Sequence, residues 1–453
     1  MPATTTPFSP DLLDPTSPAY KKARRQHFKT TRNRSPHVDS EWTPFRAAEK
    51  KYKALFPPPD LSDVIDLALL DDTRADEVVG GVWRGASDAI PCREIPLKKN
   101  GPSLRGKKAY IFPNHPGLVV LPSFVSHDEQ RQLVRWALQD HARRPNETNL
   151  DVHYVLPEEG LWSRYTSLRA AGEADGELVQ PRISTSSEVP PPEPPGPRKL
   201  IANEPAGKGN YHELSASPKP PPAPSPTAQP SSVASLVRRL RWANIGWSYH
   251  WGTKQYDFAK GRGEIQDDLR RLCKSVIRLV PWEELFGGGN NQEGWDDGSP
   301  DWDAWDETYG KSVGVLFNRI QCLERRIEPD AGIVNFYQTR DTLMAHVDRS
   351  EVCATSPLVS ISLGCAAIFL IGGLTRDVAP TPILLRSGDV VVMSGPACRR
   401  AYHGIPRILE GTLPPHLHTS MSGDSWEVYE EYLRRARINV NVRQVFPRGF
   451  DPA

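Results

Sequence analysis

The apolar positions of this chain change rhythm along its length. Leu118–Leu121 form an unbroken apolar run that suits a short buried strand. Ser126 and Glu129 then stand at capping-box spacing, and Leu133, Trp136 and Ala137 recur at helical spacing behind them, predicting a helix with one buried face. Leu316, Ile320, Leu323 and Ile327 mark a second amphipathic helix. Over residues 330–445 the text is dominated by strand-like runs. GIVNFYQ, PLVSISLG, AAIFLIGG, PILLRS, DVVVMSG and INVNVRQV are short β-rich runs separated by glycine, proline and charged turns. Such spacing predicts an all-β sandwich or barrel core with the 316–327 helix packed outside it.

Between these segments the text changes character. Residues 186–235 include SEVPPPEPPGPRK and SPKPPPAPSPTAQPSS. Proline fixes φ and removes donors, and apolar mass is too sparse to offset ordering entropy, which predicts a disordered insertion. Residues 287–310, GGGNNQEGWDDGSPDWDAWDETYG, read as an exposed acidic loop that would repel phosphates. Residues 20–34 are a basic run, read as a solvated arm with nucleic-acid binding or nuclear import as the alternative. Residues 236–258 pack Trp242, Trp247, Trp251, Tyr249 and Tyr256 among cations, which suits either a hairpin feeding the core or a surface that stacks bases and contacts phosphates. The resulting division is a partly disordered basic and proline-rich extension (1–110), helical support (111–170), a proline-rich disordered insertion (171–235), an aromatic and basic recognition segment (236–286), the acidic loop (287–310), the core (311–446) and a tail (447–453).

Composition narrows the function. The 453 residues carry 45 prolines and are 38% hydrophobic, below the usual ~45–50% of globular domains, as expected of a folded core with disordered additions. With 56 basic and 55 acidic residues there is no global basic field, so nucleic acid would have to be held by local patches. The six cysteines form no C-x-x-C pair, which argues against a zinc ribbon or disulfide scaffold and for reduced thiols in an intracellular compartment. No apolar run reaches the ~18 residues of a membrane span, and the N-terminus lacks the charged start and apolar stretch of a secretory signal.

Candidate chemistry sits in TLMAHVDRSE. In an extended segment His346 and Asp348 share a face, about 7 Å apart along the backbone, and can converge on one metal ion. On spacing alone the pair reads as an ordinary surface His–Asp contact. His403, in RRAYHGIPR, is placed where a strand ends and can supply the third ligand. Two histidines and one carboxylate suit non-haem ferrous iron, and zinc tolerates the same set. In RINVNVRQ, Arg437, Asn439, Asn441 and Arg443 share one face, and Ile438, Val440 and Val442 the other. Two buried guanidiniums call for an anion, and a dicarboxylic co-substrate would satisfy both; the alternative is an edge strand with a solvated polar face. Asn335 and Tyr337 share a face of GIVNFYQ and can reach the same pocket. A zinc hydrolase would leave Arg437 and Arg443 without a role.

These motifs together resemble the AlkB family of iron and 2-oxoglutarate dioxygenases. HVD, YHGI and RINVNVRQ occur in order, with NFY before them and SLGCAAIFLIGG and GDVVVMSG between. HVDRSE, IFLIGGLTRD, RWANIGWSYHW and PNETNLD are most similar to the eukaryotic AlkB homologue 1 branch, over residues 117–446 apart from the insertion and the acidic loop. The resemblance implies an α+β protein: a double-stranded β-helix (jelly-roll) core with supporting N-terminal helices and long disordered insertions. It implies Fe(II) on His346, Asp348 and His403. It implies 2-oxoglutarate on Arg437, with Arg443, Asn335, Tyr337, Asn439, Tyr249 and Arg399 shaping the site. Dioxygen and 2-oxoglutarate would yield succinate and CO₂ while an N-methyl group is hydroxylated and leaves as formaldehyde. Trp247, Arg349, Ser350 and Glu351 would meet the substrate. Some bacterial relatives carry an acidic residue at the position of Ser350, so the branch's range of methylated DNA, tRNA or histone tails stays open. Nucleic acid is favoured by the local positive charge of LVRRLRW and the 20–34 run. A histone-like protein demethylase or hydroxylase on the same iron, and a catalytically silent binding module, are the alternatives. Nucleus and cytoplasm, then mitochondrion, are the compartments expected.

Overall fold

Period-two sequence becomes strand almost wherever it occurs. The computed structural model describes residues 16–22, 42–78, 83–97, 107–173, 176–182, 222–282, 329–348, 350–352, 356–419 and 426–445, and the isolated positions 25, 210, 213, 216, 219 and 285. The strands are β1 (Arg93–Ile95), β2 (Ala109–Ile111), β3 (Leu118–Leu121), β4 (Leu178–Val179), β5 (Ser231–Ser232), β6 (Trp242–Gly246), β7 (Tyr249–His250), β8 (Gln255–Tyr256), β9 (Ala331–Gln338), β10 (Leu343–His346), β11 (Leu358–Gly364), β12 (Ala367–Ile371), β13 (Thr381–Leu385), β14 (Val390–Met393), β15 (His403–Ile408) and β16 (Ala436–Arg443). An eight-stranded sheet runs β1-β2-β3-β14-β11-β16-β9-β6, and a four-stranded sheet runs β10-β15-β12-β13. From β9 onward the chain passes back and forth between them: β9, β11, β14 and β16 lie in the large sheet, and β10, β12, β13 and β15 in the small one.

Four layers result. Leu118, Val120, Tyr337, Val391 and Met393 of the large sheet share an apolar cluster with Phe369, Ile371, Ile383 and Ile405 of the small one, so the sheets pack face to face. The outer face of the large sheet (Val334, Phe336, Val359, Ile361, Ile438, Val440) is covered by the helices His127–Arg135, Leu161–Ala170, Val233–Arg239 and Asp267–Leu279. The outer face of the small sheet (Ile368, Leu370, Leu384) takes Phe45, Tyr52, Val64 and Trp83 from the N-terminal segment. Each fully buried aliphatic side chain contributes about 1.5–3 kcal/mol. The capping box at Ser126 and Glu129 forms in both directions.

β16 lies between β11 and β9 in the middle of the sheet, so both of its edges are paired, and the side chains on both of its faces are largely buried. Arg437 is 1% exposed. An edge strand with a solvated polar face is therefore not what RINVNVRQ makes.

Within the 1–110 extension, residues 42–78 and 83–97 pack on the core, and β1 and β2 extend the large sheet. Two expectations are corrected. The insertion is not disordered across 171–235. β4 pairs with β5, the Tyr154 hydroxyl donates to the Gln229 carbonyl at 3.2 Å, and Val233 is fully buried. Apolar packing resumes there at Val233, and polar side chains of the preceding layer capture the proline-rich backbone. His403 stands at the start of a strand, β15, and not at the end of one. The acidic loop 287–310, the helix of 316–327, residues 183–209, most of the 20–34 run and Arg349 lie outside the described residues.

Candidate metal and co-substrate site

β10 is the edge of the small sheet and ends at His346; its antiparallel neighbour β15 begins at His403. The two residues are direct register partners, with ring centroids 4.4 Å apart. Gly404 allows that approach: a Cβ there would meet the Leu343 carbonyl oxygen at 2.8 Å. Asp348 follows two residues past the strand end and places Oδ1 3.7 Å from His346 Nε2. One ligand atom from each of His346, Asp348 and His403 falls within 4.8 Å of the others.

The imidazoles are set for coordination by their outer nitrogens. His346 Nδ1 lies 3.0 Å from the Met344 carbonyl and His403 Nδ1 3.1 Å from the Ala401 carbonyl. A carbonyl can only accept, so each Nδ1 carries the proton and each Nε2 offers its lone pair to the cluster. Burial, with His346 alongside, pulls the His403 imidazole down to about 4, keeping it neutral. The Arg443 guanidinium, with both imidazoles, holds the Asp348 carboxyl well below the usual carboxylate range although burial pushes the other way. Asp348 is thus an anion.

On the inner face of the large sheet, Arg437 stands opposite Tyr337 and Asn439 opposite Asn335. The Arg437 guanidinium lies 5.6 Å over the Tyr337 ring and donates from Nη2 to Ser362 Oγ at 3.0 Å. Its Nε and Nη1 are buried without a hydrogen-bond partner among the described residues. Burial pulls this guanidinium down to about 10 and the neighbouring Tyr337 hydroxyl up to about 12. Asn439 is turned into the sheet, donating to Ser360 Oγ at 2.7 Å and to the Ile361 carbonyl at 3.0 Å.

Nearer the cluster a second arginine pair is tied down. Arg443 Nη1 donates to Asp348 Oδ2 and to Glu351 Oε1, both at 2.7 Å. Arg399, at the end of the short helix Gly395–Arg399, brings Nη1 to 3.8 Å from Asp348 Oδ2 and Nη2 to 4.0 Å from Glu351 Oε1, while Nε donates to the Ser356 carbonyl. Tyr249 faces this group, its hydroxyl pushed up to about 12 by burial.

A family model described as the 2OG-Fe(II) oxygenase superfamily matches residues 212–443, just over half of the chain. The chain belongs to that superfamily. This oxygenase is 27% identical over 426 residues to the DNA N(6)-methyladenine demethylase ALKBH1A of Arabidopsis thaliana, covering 90% of this chain and 97% of that protein. It is 28% identical over 382 residues to the tRNA demethylase abh1 of Schizosaccharomyces pombe, covering 81% and 93%. To the mouse nucleic acid dioxygenase ALKBH1 it is 28% identical over 362 residues, covering 76% and 68%.

The superfamily's cofactors, Fe(II) and 2-oxoglutarate, fit the residues present. Two imidazoles and one carboxylate, with one ligand atom of each converging, form the donor set ferrous iron takes with positions left open. The two unpartnered nitrogens of Arg437, with no carboxylate bonded to it, suit an incoming carboxylate.

The substrate side of the oxygenase differs from expectation. Trp247 is half-buried and packs edge-on against Phe258, with ring centroids 5.3 Å apart, in a small cluster with Tyr256 and Val445. Glu351 is 2% exposed and engaged by arginine. Ser350 donates to the Lys254 carbonyl at 2.6 Å, tying the metal loop to the β7–β8 turn. The open aromatic surface lies instead at Trp242, the register partner of Asn335, which stacks on Trp251 at 5.1 Å; Trp251 is 41% exposed. Trp242 reaches the inner sheet face through the pairing of β6 with β9, which no local pattern announces. Ser360 and Ser362 were missed, though their alternation in PLVSISLG put them on one face.

Proposed function

We propose that this oxygenase removes N-methyl groups from bases in nucleic acid, DNA or RNA, with His346, Asp348 and His403 holding Fe(II) and Arg437 holding the distal carboxylate of 2-oxoglutarate. The crossing of β9 to β16 between two sheets supports a double-stranded β-helix, with the site at one end of the sandwich. The observation that carries the reading is the buried Arg437, with two of its three nitrogens unpartnered among the described residues, on the inner sheet face that it shares with Asn335 and Tyr337, in the same chain as the converging His–Asp–His cluster.

Fe(II) and 2-oxoglutarate, when held by these residues, would supply the oxidising chemistry with dioxygen: one oxygen atom would end in succinate, formed with loss of CO₂, and the other on the N–CH₃ carbon, whose N–CH₂OH form would break down to N–H and formaldehyde. The chain's own residues position these partners. Arg437, Ser362 and Tyr337 orient the dicarboxylate. The backbone carbonyls at Met344 and Ala401 fix the imidazole tautomers. The stacked Trp242–Trp251 pair offers a flipped base a flat apolar face, which favours a nucleobase over a peptide as substrate. The names of the relatives, which act on DNA and tRNA, support the same class.

The test is formaldehyde release from a panel of N-methylated DNA and RNA oligonucleotides, with iron, ascorbate and 2-oxoglutarate. Release from at least one member, absent in His346→Ala, is expected. Succinate formation without formaldehyde from any oligonucleotide would overturn the nucleic-acid assignment and point to a protein substrate.

A further inference from the structure

Glu351 lies three residues beyond Asp348, where a substrate contact is expected from the sequence. Its burial is at odds with that: the residue is 2% exposed. Its carboxylate and that of Asp348 are spanned by the same two cations. Arg443 Nη1 bonds both at 2.7 Å, and Arg399 approaches both at 3.8 and 4.0 Å. Two anions and two cations alternate in a closed arrangement. Within it the arginines occupy Oδ2 of Asp348, and Oδ1 is left facing His346 Nε2.

The charge count decides what Glu351 does there. Without its carboxylate, Arg399 and Arg443 would both rest on Asp348, and two guanidiniums would stand beside an ion of charge two with one anion to offset them. Like charges this close are costly in a site of low effective dielectric. The terminal nitrogens of Arg399 and Nε of Arg443 already lack hydrogen-bond partners, so nothing else among the described residues takes over.

We propose that Glu351 is a positioning residue of the metal centre: by sharing Arg443 and Arg399 with Asp348 it offsets their charge and keeps Asp348 a one-oxygen ligand, and it does not contact the substrate. This rests on the assignment of the metal to His346, Asp348 and His403.

Mn²⁺ titration of the metal-free full-length protein, followed by loss of the free Mn²⁺ electron-spin signal, tests it without turnover or nucleic acid. Glu351→Gln should weaken Mn²⁺ binding roughly 10–100-fold, the range seen when a partner of a metal ligand is removed. Adding Arg399→Gln to that variant, which restores the charge balance, should recover most of the loss. Wild-type Mn²⁺ affinity in Glu351→Gln, with a raised KM for the nucleic acid, would overturn the proposal in favour of a substrate contact. His346→Ala separates the premises: if it binds Mn²⁺ as the wild type does, the metal assignment has failed and not the role of Glu351. Should Glu351→Gln not fold, Arg399→Gln alone tests the same balance from the other side. It should bind Mn²⁺ at least as tightly as the wild type, and weaker binding would sink the idea.

Discussion

A guanidinium with two unbonded nitrogens inside a protein costs stability, about 1–3 kcal/mol for each buried group left without a partner. Arg437 carries that cost, offset among the described residues by the Ser362 hydroxyl and the Tyr337 ring. Replacing it by alanine should remove a charge-assisted bidentate contact to 2-oxoglutarate worth about 3 kcal/mol, raising the co-substrate KM roughly a hundredfold. The metal-free protein should be no less stable for the change, since the unsatisfied nitrogens go with it. Steady-state kinetics against 2-oxoglutarate and a urea titration read the two effects separately; an unchanged KM would make the strand face structural. The face that Arg437 shares with Asn439 and Arg443 was legible because strand alternation is local. The partners were not, since Glu351 and Arg443 are 92 positions apart and Arg437 and Ser362 are 75. Residue type announced an anion site, and only the fold could say which arginine is free to take it.

At the scale of elements the weak point is β10, four residues long, at a sheet edge and carrying His346. Edge strands leave backbone groups unpaired. Here the N-terminal helix Pro44–Lys53 covers the edge: Glu49 Oε1 accepts the Ala345 N–H at 2.6 Å while Arg46 donates to Oε2 at 2.9 Å. Arg376 closes the other group, donating to the Ala345 carbonyl at 2.9 Å. Glu49→Ala would leave the Ala345 N–H buried and unmet. A loss of about 1–3 kcal/mol in unfolding free energy is expected, with weaker Mn²⁺ binding because the strand that aims His346 is loosened. Glu49→Gln, which keeps an acceptor, should lose less of both. Equal metal affinity in all three proteins would show that β15 alone fixes the strand. Nothing local marks Glu49 for this task. It sits 296 residues before its partner, in charged text that composition assigns to a solvated extension.

Over the whole molecule the same kind of charge turns inward. Arg386 and Asp66 pair at 2.7 Å, and Arg74 and Asp389 at 2.9 Å, all buried, so the N-terminal segment is fastened to the sheets by ion pairs as well as by Phe45, Tyr52 and Trp83. Counting charges along a sequence cannot distinguish a pair formed across the fold from two solvated side chains, which is why these fastenings were not legible in the extension. Buried neutral histidines give this packing a pH signature. His141 lies against the Asn244 carbonyl at 3.0 Å, and burial pulls it, like His403, down to about 4 from an ordinary 6.5. Between those values the unfolded chain takes up protons that the folded one refuses, so stability is fully present above pH 6.5 and falls as the pH drops towards 4. Each such imidazole contributes about 1.4 kcal/mol per pH unit within that window. Asp389, raised by burial, works the other way but only close to the carboxylate range. Urea midpoints of the metal-free protein should therefore fall steadily from pH 7 to pH 5, with the slope shallower by about one proton in His141→Gln. His115 and His416, also pulled down by burial, add to the same slope, and a flat profile over that interval would mean that these imidazoles reach solvent in the folded state.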